Sequence, residues 1–208
     1  MERGKIRNII FDLGGVIVDL DPPRTFSEFA ALSGKPVEEI VNLYHNTMFF
    51  RHYETGRISD ETFRNSIREA LAIDSSDEQI DHAWNAILVG MHEPKKQMLL
   101  SARKKFNIFL LSNTNHIHTL RFERFFDDVG DGLNIHSIFK RVYYSFSMNL
   151  RKPDPEIFEY VISDNNLDRS QTLLVDDNRD NIESARNIGL KVLQVEMNQP
   201  VIDIPEQL

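Results

Sequence analysis

A chain of 208 residues can bury a full hydrophobic core, as one domain or as one domain carrying a large insertion. Its 24 basic and 32 acidic side chains leave a net charge of -8, so its bulk field repels nucleic acid and anionic membrane surfaces, and an anionic ligand needs a local positive focus. Cysteine is absent, which removes disulfides, thiolate catalysis and zinc-thiolate sites and suits a cytoplasmic location.

The chain starts basic, and an apolar run, Asn8-Ile9-Ile10-Phe11, follows. Asp12, Gly14, Gly15 and Asp19 interrupt what comes after it, so the segment reads as a buried strand and neither as a signal peptide nor as a membrane span. From about 22 to 92 no strand pattern occurs. Phe26, Phe29 and Ala30, then Ile40, Val41 and Tyr44, then Phe63, Ile67 and Leu71 recur at helical spacing, and Pro36 suits a first helical turn. Ile80, Ala83, Trp84, Ile87 and Leu88 continue the pattern behind a capping box of Ser76 and Gln79. This segment is expected to be an all-helical insertion.

Pro94 opens a helix carrying Leu99 and Ala102, and β-rich runs near 107–112, 141–145, 172–176 and 190–195 follow with helical patterns between them. Asp154-Pro155 is a suitable N-cap and first-turn pair, and Gly189 closes the last helix. The stretch Asp127-Asp128-Val129-Gly130-Asp131-Gly132 reads as a solvated polar loop, without the ligand series of a calcium loop. Alternation of strand and helix predicts an α/β fold with a Rossmann-like, mainly parallel sheet. The expected division is a core of 1–21 and 93–208, with 22–92 as the inserted helical unit.

In such a sheet, ligands sit beyond the carboxyl ends of the strands. Four chemically active segments map there: Asp12 and Gly14, Ser112-Asn113, Lys152, and Asp176-Asp177. Asp12 in that position is a nucleophile or a metal ligand, and the set fits phosphoryl transfer. Attack of a carboxylate on a phosphate dianion requires a cation. Asp12, the Gly14 carbonyl and the pair Asp176 and Asp177 are hard oxygen ligands suited to Mg²⁺, with Asp177 favoured as a direct ligand and Asp176 direct or through water. Lys152 supplies a point charge to the transferring group, while the Ser112 hydroxyl and Asn113 amide donate to its oxygens. Taken singly, Ser112, Asn113 and Asn178 read as helix caps and Lys152 as a solvated loop residue.

These motifs resemble those of the haloacid dehalogenase (HAD) superfamily: Phe11-Asp12-Leu13-Gly14-Gly15-Val16, Leu111-Ser112-Asn113, Lys152 in Arg151-Lys152-Pro153-Asp154, and Val175-Asp176-Asp177-Asn178. The pattern is closest to the small bacterial branch typified by an α-glucose-1-phosphate phosphatase and related to the N-terminal phosphatase domain of soluble epoxide hydrolase. The resemblance implies a helical cap between the first two motifs, including the turn Gly56-Arg57-Ile58-Ser59, and a Mg²⁺-dependent phosphatase of a small phosphorylated metabolite working through an aspartyl-phosphate. Typical members carry an acid/base Asp two residues after the nucleophile, where this chain has Gly14. A less basic leaving oxygen, as in a sugar 1-phosphate, suffers least from that change. The alternatives are a halide-releasing hydrolase with an aspartyl-ester intermediate, and a catalytically weak phosphometabolite-binding protein.

Other residues rank lower. His45, His52, His116 and His118, and the cap-side Arg24 and Arg51, are secondary candidates for substrate contact. Asp19 and Asp21 fall in the segment resembling the family's flap and are expected to order water or a turn. Phe49-Phe50 reads as cap core.

Overall fold

The opening apolar run forms β1 (Asn8–Phe11), with all four residues buried, as a strand covered on both faces must be. The computed structural model describes residues 5–127, 134–200 and 202–204. After β1 come β2 (Asp19–Leu20) and five helices: α1 (Pro22–Ser33), α2 (Val37–Asn46), α3 (Phe49–Glu54), α4 (Asp60–Leu71) and α5 (Asp77–Asn85). Next are β3 (Leu88–Gly90), α6 (Glu93–Lys105), β4 (Asn107–Ser112), α7 (His116–Phe122), α8 (Ile135–Ile138) and β5 (Arg141–Tyr144). The chain continues through α9 (Ser145–Met148), α10 (Pro155–Asn165), β6 (Thr172–Asp176), α11 (Arg179–Asn187) and β7 (Lys191–Gln194).

The five strands expected from sequence form one parallel sheet in the order β5-β4-β1-β6-β7. Side chains alternate across it. Ile9, Phe11, Leu173 and Val175 join Leu99 and Ala102 of α6 and Ile135 and Ile138 of α8 on one face. Ile10 and Leu174 join Ile157, Phe158 and Val161 of α10 and Ile182 and Ala185 of α11 on the other. This is the Rossmann-like α/β architecture, built because each helix hides one apolar stripe on the sheet. Among the described residues no helix is long and apolar enough to cross a membrane.

Helices α1 to α5 bury a cluster of their own, with Phe29, Ile40, Phe50, Phe63, Ile80 and Trp84 at its centre and Ile117 of α7 joining from the sheet side. The Phe49 and Phe50 rings meet within it at a tilt of 31°, with centroids 4.3 Å apart. The capping box forms as expected: Ser76 Oγ accepts from Gln79 N at 3.3 Å and Gln79 Oε1 accepts from Ser76 N at 2.9 Å.

Three local expectations need correction. Helix α5 stops at Asn85, so Ile87 and Leu88 do not continue it. Leu88 pairs instead with Leu20 across β2 and β3, and the Asp21 N–H donates to the Ile87 carbonyl at 2.8 Å; a tertiary strand pairing overrides the helical spacing, and 22–92 is not purely helical. Pro36 occupies the N-cap of α2 and not its first turn. Neither Ser112 nor Asn113 caps the next helix: Asn115 Oδ1 does, accepting from His118 N at 3.1 Å. The polar stretch expected over 127–132 lies, from 128 on, outside the described residues.

Candidate active site

Parallel register sets the site. Phe11 pairs with Leu110 on one side and Val175 on the other, so Asp12, Leu111-Ser112 and Asp176-Asp177 leave the sheet at the same edge. The Asp12 N–H donates to the Val175 carbonyl at 2.9 Å, continuing the ladder one step past the strand. Lys152 arrives from the loop between α9 and α10 and is 1% exposed. Its ammonium donates to Asp12 Oδ1 and to Asp176 Oδ2, each at 2.7 Å.

Asn113 holds that lysine by its backbone. The Asn113 amide donates from Nδ2 to the Lys152 carbonyl at 2.8 Å and accepts at Oδ1 from the Lys152 N–H at 2.9 Å. A ligand contact from this side chain therefore falls to its second amide hydrogen. Ser112 and Asn113 both line the neighbouring cavity.

Asp176 is fully buried. Oδ1 accepts from Asn178 N at 2.9 Å and from Asn181 Nδ2 at 3.0 Å, while Oδ2 takes Lys152 and, at 3.1 Å, the same Asn181 amide. Asp177 is only half-buried. Sequence reasoning missed Asn181; its only signal was a place in the first turn of the helix capped by Asn178, whose Oδ1 accepts from Asp180 N and Asn181 N.

The electrostatics of the three carboxylates fit a divalent cation. Asp12, Asp176 and Asp177 each offer an oxygen, all within 4.8 Å of one another. Burial pushes the Asp12 carboxyl up to about 7; Lys152 pulls it back, and Asp176 and Asp177 raise it again by repulsion. Burial, then repulsion from Asp176, also raises Asp177. Burial opposes the charge on Lys152, but Asp12 and Asp176 outweigh it and hold the ammonium protonated. One ammonium facing three carboxylates leaves negative charge uncompensated, which is what a bound Mg²⁺ neutralises.

A cavity of about 490 Å³ adjoins this cluster between the sheet edge and the helical insertion, with Gly14, Ser112 and Asn113 at one end and Phe26, Tyr44, Glu54 and Trp84 on the insertion side. A Cβ at position 14 would stand 2.8 Å from Leu20 Cδ1, so a larger residue there requires the Leu20 side chain to shift.

The secondary candidates divide. His45 and His118 line the cavity, whereas His52, Arg24, Arg51 and His116 are not among its lining residues. His118 stacks on Trp84 with ring centroids 4.8 Å apart, and its Nδ1 lies 3.0 Å from Asn85 Oδ1. Burial drives its pKa down to about 3, so it is neutral. His116 pairs with Asp60 at 2.7 Å. Asp19 is taken up by Lys95 and, at 2.9 Å, by His92, which makes it a buried tie between β2 and α6. Asp21 makes the backbone turn at the start of α1.

A parallel sheet with carboxylates beyond its central strands, a lysine bridging them and a cavity alongside defines an α/β enzyme acting at the carboxyl edge of its sheet. The chain belongs to the haloacid dehalogenase-like hydrolase family, whose model matches residues 6–189. It is 32% identical over 192 residues to the D-ribitol-5-phosphate phosphatase of Bacteroides thetaiotaomicron, covering 92% of each chain. The crystal structure of a HAD family enzyme from that organism, in complex with magnesium and inorganic phosphate, superposes with a TM-score of 0.83 at 33% identity, covering 93% of this chain and 96% of that one. A HAD-like family hydrolase from Porphyromonas gingivalis superposes with a TM-score of 0.84 at 29% identity, covering 94% of each.

Proposed function

We propose that the protein is a Mg²⁺-dependent, cytoplasmic phosphatase of a small phosphorylated metabolite, and that Asp12 is its nucleophile. The observation that carries this reading is the 2.7 Å contact of Lys152 with Asp12 and Asp176, beside a half-buried Asp177 and next to a cavity lined by Leu13, Gly14, Ser112 and Asn113. Asp12, the Gly14 carbonyl, Asp176 and Asp177 would hold Mg²⁺, which when bound neutralises the charge of the phosphate and of the carboxylate facing it.

In the reaction, Asp12 attacks phosphorus, the bond to the substrate alcohol breaks and an aspartyl-phosphate forms. Lys152 steadies Asp12 and contributes positive charge to the transferring group, while Ser112 and Asn113 donate to its oxygens. Water then hydrolyses the aspartyl-phosphate. Residues 22–92 act as a cap over the core of 1–21 and 93–208, excluding bulk water and shaping the pocket for the alcohol.

The relative's action on D-ribitol 5-phosphate supports a phosphorylated polyol or sugar as substrate. The absence of a carboxyl at position 14 supports a substrate with a less basic leaving oxygen, such as a sugar 1-phosphate. A metal-demanding acidic cluster speaks against carbon–halogen hydrolysis, which uses the same carboxylate without a cation. A screen of polyol phosphates, sugar 1-phosphates, nucleotides and 2-haloacids, each with and without Mg²⁺, tests the proposal. Phosphate release that disappears with chelator is expected. Halide release, or tight binding of an intact ester without turnover, would overturn it.

A further inference from the structure

Phosphate ester cleavage leaves two protons to manage: one for the departing alkoxide and one taken from the water that frees Asp12. The position two residues beyond Asp12 cannot manage them, because Gly14 carries no side chain. The cavity offers few replacements, and His45 among them is exposed to solvent. His118 is neutral, and burial keeps it so to well below ordinary pH, which makes it a poor proton donor. Burial holds the Tyr44 hydroxyl up at about 12. Glu54 is the one carboxyl lining the cavity among the described residues.

We propose that Glu54, at the C-terminal end of α3, is the acid and base that this chain uses in place of a carboxyl at position 14. It rests on the phosphatase reading above. Its placement is specific. The Ser145 hydroxyl lies 2.6 Å from the Glu54 carbonyl and 3.1 Å from the Thr114 carbonyl, and accepts from the Thr114 N–H at 2.9 Å. The end of α3 is thereby fastened to the segment carrying Ser112 and Asn113. Gly56, with φ +66, brings the same turn so close to α9 that a Cβ there would overlap the Phe146 carbonyl. Glu54 also reaches Arg151, whose Nη2 lies 3.4 Å from Oε2, while the next residue, Lys152, holds Asp12.

Burial pushes the Glu54 carboxyl up, against the opposing charges of Arg151 and Arg51, with the Tyr44 hydroxyl as a further neighbour. A carboxyl raised in this way carries a proton closer to neutral pH and keeps it available. In the first step Asp12 bonds to phosphorus, the P–O bond to the alcohol breaks, and the Glu54 proton passes to the leaving oxygen. In the second, Glu54 as carboxylate takes a proton from water, the water oxygen bonds to phosphorus and the P–O bond to Asp12 breaks. Phosphate leaves and both side chains return to their starting states.

The test compares p-nitrophenyl phosphate, whose leaving anion needs no proton, with a polyol phosphate, whose alkoxide does. For Glu54→Gln in saturating Mg²⁺, kcat on the polyol phosphate should fall by roughly 10²–10⁴-fold with KM little changed. The pre-steady-state burst of nitrophenol should keep nearly the wild-type rate, followed by slow turnover because the base for the second step is missing. An equal loss of the first-step rate on both substrates, no loss of turnover on either, or a change confined to KM would overturn the proposal. Should Glu54→Gln melt early, the wild-type enzyme carries the test across aryl and alkyl esters of rising leaving-group basicity: a flat rate supports an internal acid, and a steep decline overturns it. A wild-type enzyme inert toward every ester with Mg²⁺ sinks this proposal together with the phosphatase reading; activity without the leaving-group contrast sinks this proposal alone.

Discussion

The carboxylate of Asp177 occupies the space that a side chain at Gly15 would need: a Cβ built at Gly15 would stand 2.5 Å from Asp177 Oδ2. Gly15 also has φ +75, a conformation that costs an L residue roughly 1–2 kcal/mol. The turn after β1 and the end of β6 are therefore fitted to each other beside the carboxylates of Asp12, Asp176 and Asp177. Gly15→Ala should displace Asp177 and weaken Mg²⁺ binding by about tenfold or more, the scale on which misplacing a ligand's support acts. Calorimetric titration checks this; unchanged affinity would mean that Asp177 is not a ligand.

On the proposed mechanism, Asp12→Asn replaces the nucleophilic carboxylate by a neutral amide of the same shape. Turnover should fall by a factor on the order of 10⁴ or more, as for a nucleophile acting within a catalytic unit. The circular dichroism spectrum should be unchanged. Substantial residual phosphate release would remove Asp12 from the nucleophile's role.

Lys152 is buried between two carboxylates, and its loss leaves them facing each other. Lys152→Met should destabilise the metal-free protein by about 3–5 kcal/mol, the cost of breaking a buried ion pair from one side. Mg²⁺ supplies the missing positive charge, so it should raise the melting temperature of the variant more than that of the wild type. Equal Mg²⁺ shifts in the two proteins would place the cation away from Asp12 and Asp176.

The Asp12 carboxyl, raised to about 7 in the metal-free protein, gains its proton as the pH falls through that value. Mg²⁺ requires the carboxylate, so affinity should be full at pH 8 and decline below about 7, by roughly tenfold per pH unit for each proton displaced. Proton release measured by calorimetry in buffers of different ionisation enthalpy gives the count. A pH-independent affinity between 6 and 8 would contradict this.

Gly34 and Gly56 have nearly the same dihedral, φ +67 and +66, but different surroundings: nothing lies within 4 Å of a Cβ at 34, while one at 56 meets the backbone of Phe146. Gly34→Ala should cost roughly 1–2 kcal/mol of strain alone. Gly56→Ala should cost clearly more and loosen α3 from α9. Urea denaturation of the two variants separates strain from collision.

The parallel sheet was legible because five apolar runs bounded by polar strand ends admit few other readings, and the capping box of Ser76 and Gln79 was legible because it is local. The ribbon of β2 and β3 was not. Its pairing joins residues about seventy positions apart, and Leu88 sits equally well in a helical pattern. Asn181, Trp84 and Glu54 escaped for the same reason: nothing next to them in sequence announces the Asp176 carboxylate, the His118 ring or the cavity that each one meets.

The order of residues determined by itself the strand ends and the chemistry they carry, since apolar periodicity and the identity of the residue after each run are properties of the chain alone. Folding decided which atoms answer one another: that Lys152 bridges Asp12 and Asp176, that Asn113 holds Lys152 by its backbone, that Leu20 packs beside position 14 and that Glu54 lines the cavity. Such relations depend on distances of a few ångströms between segments far apart in sequence, and strand register together with helix docking sets those distances.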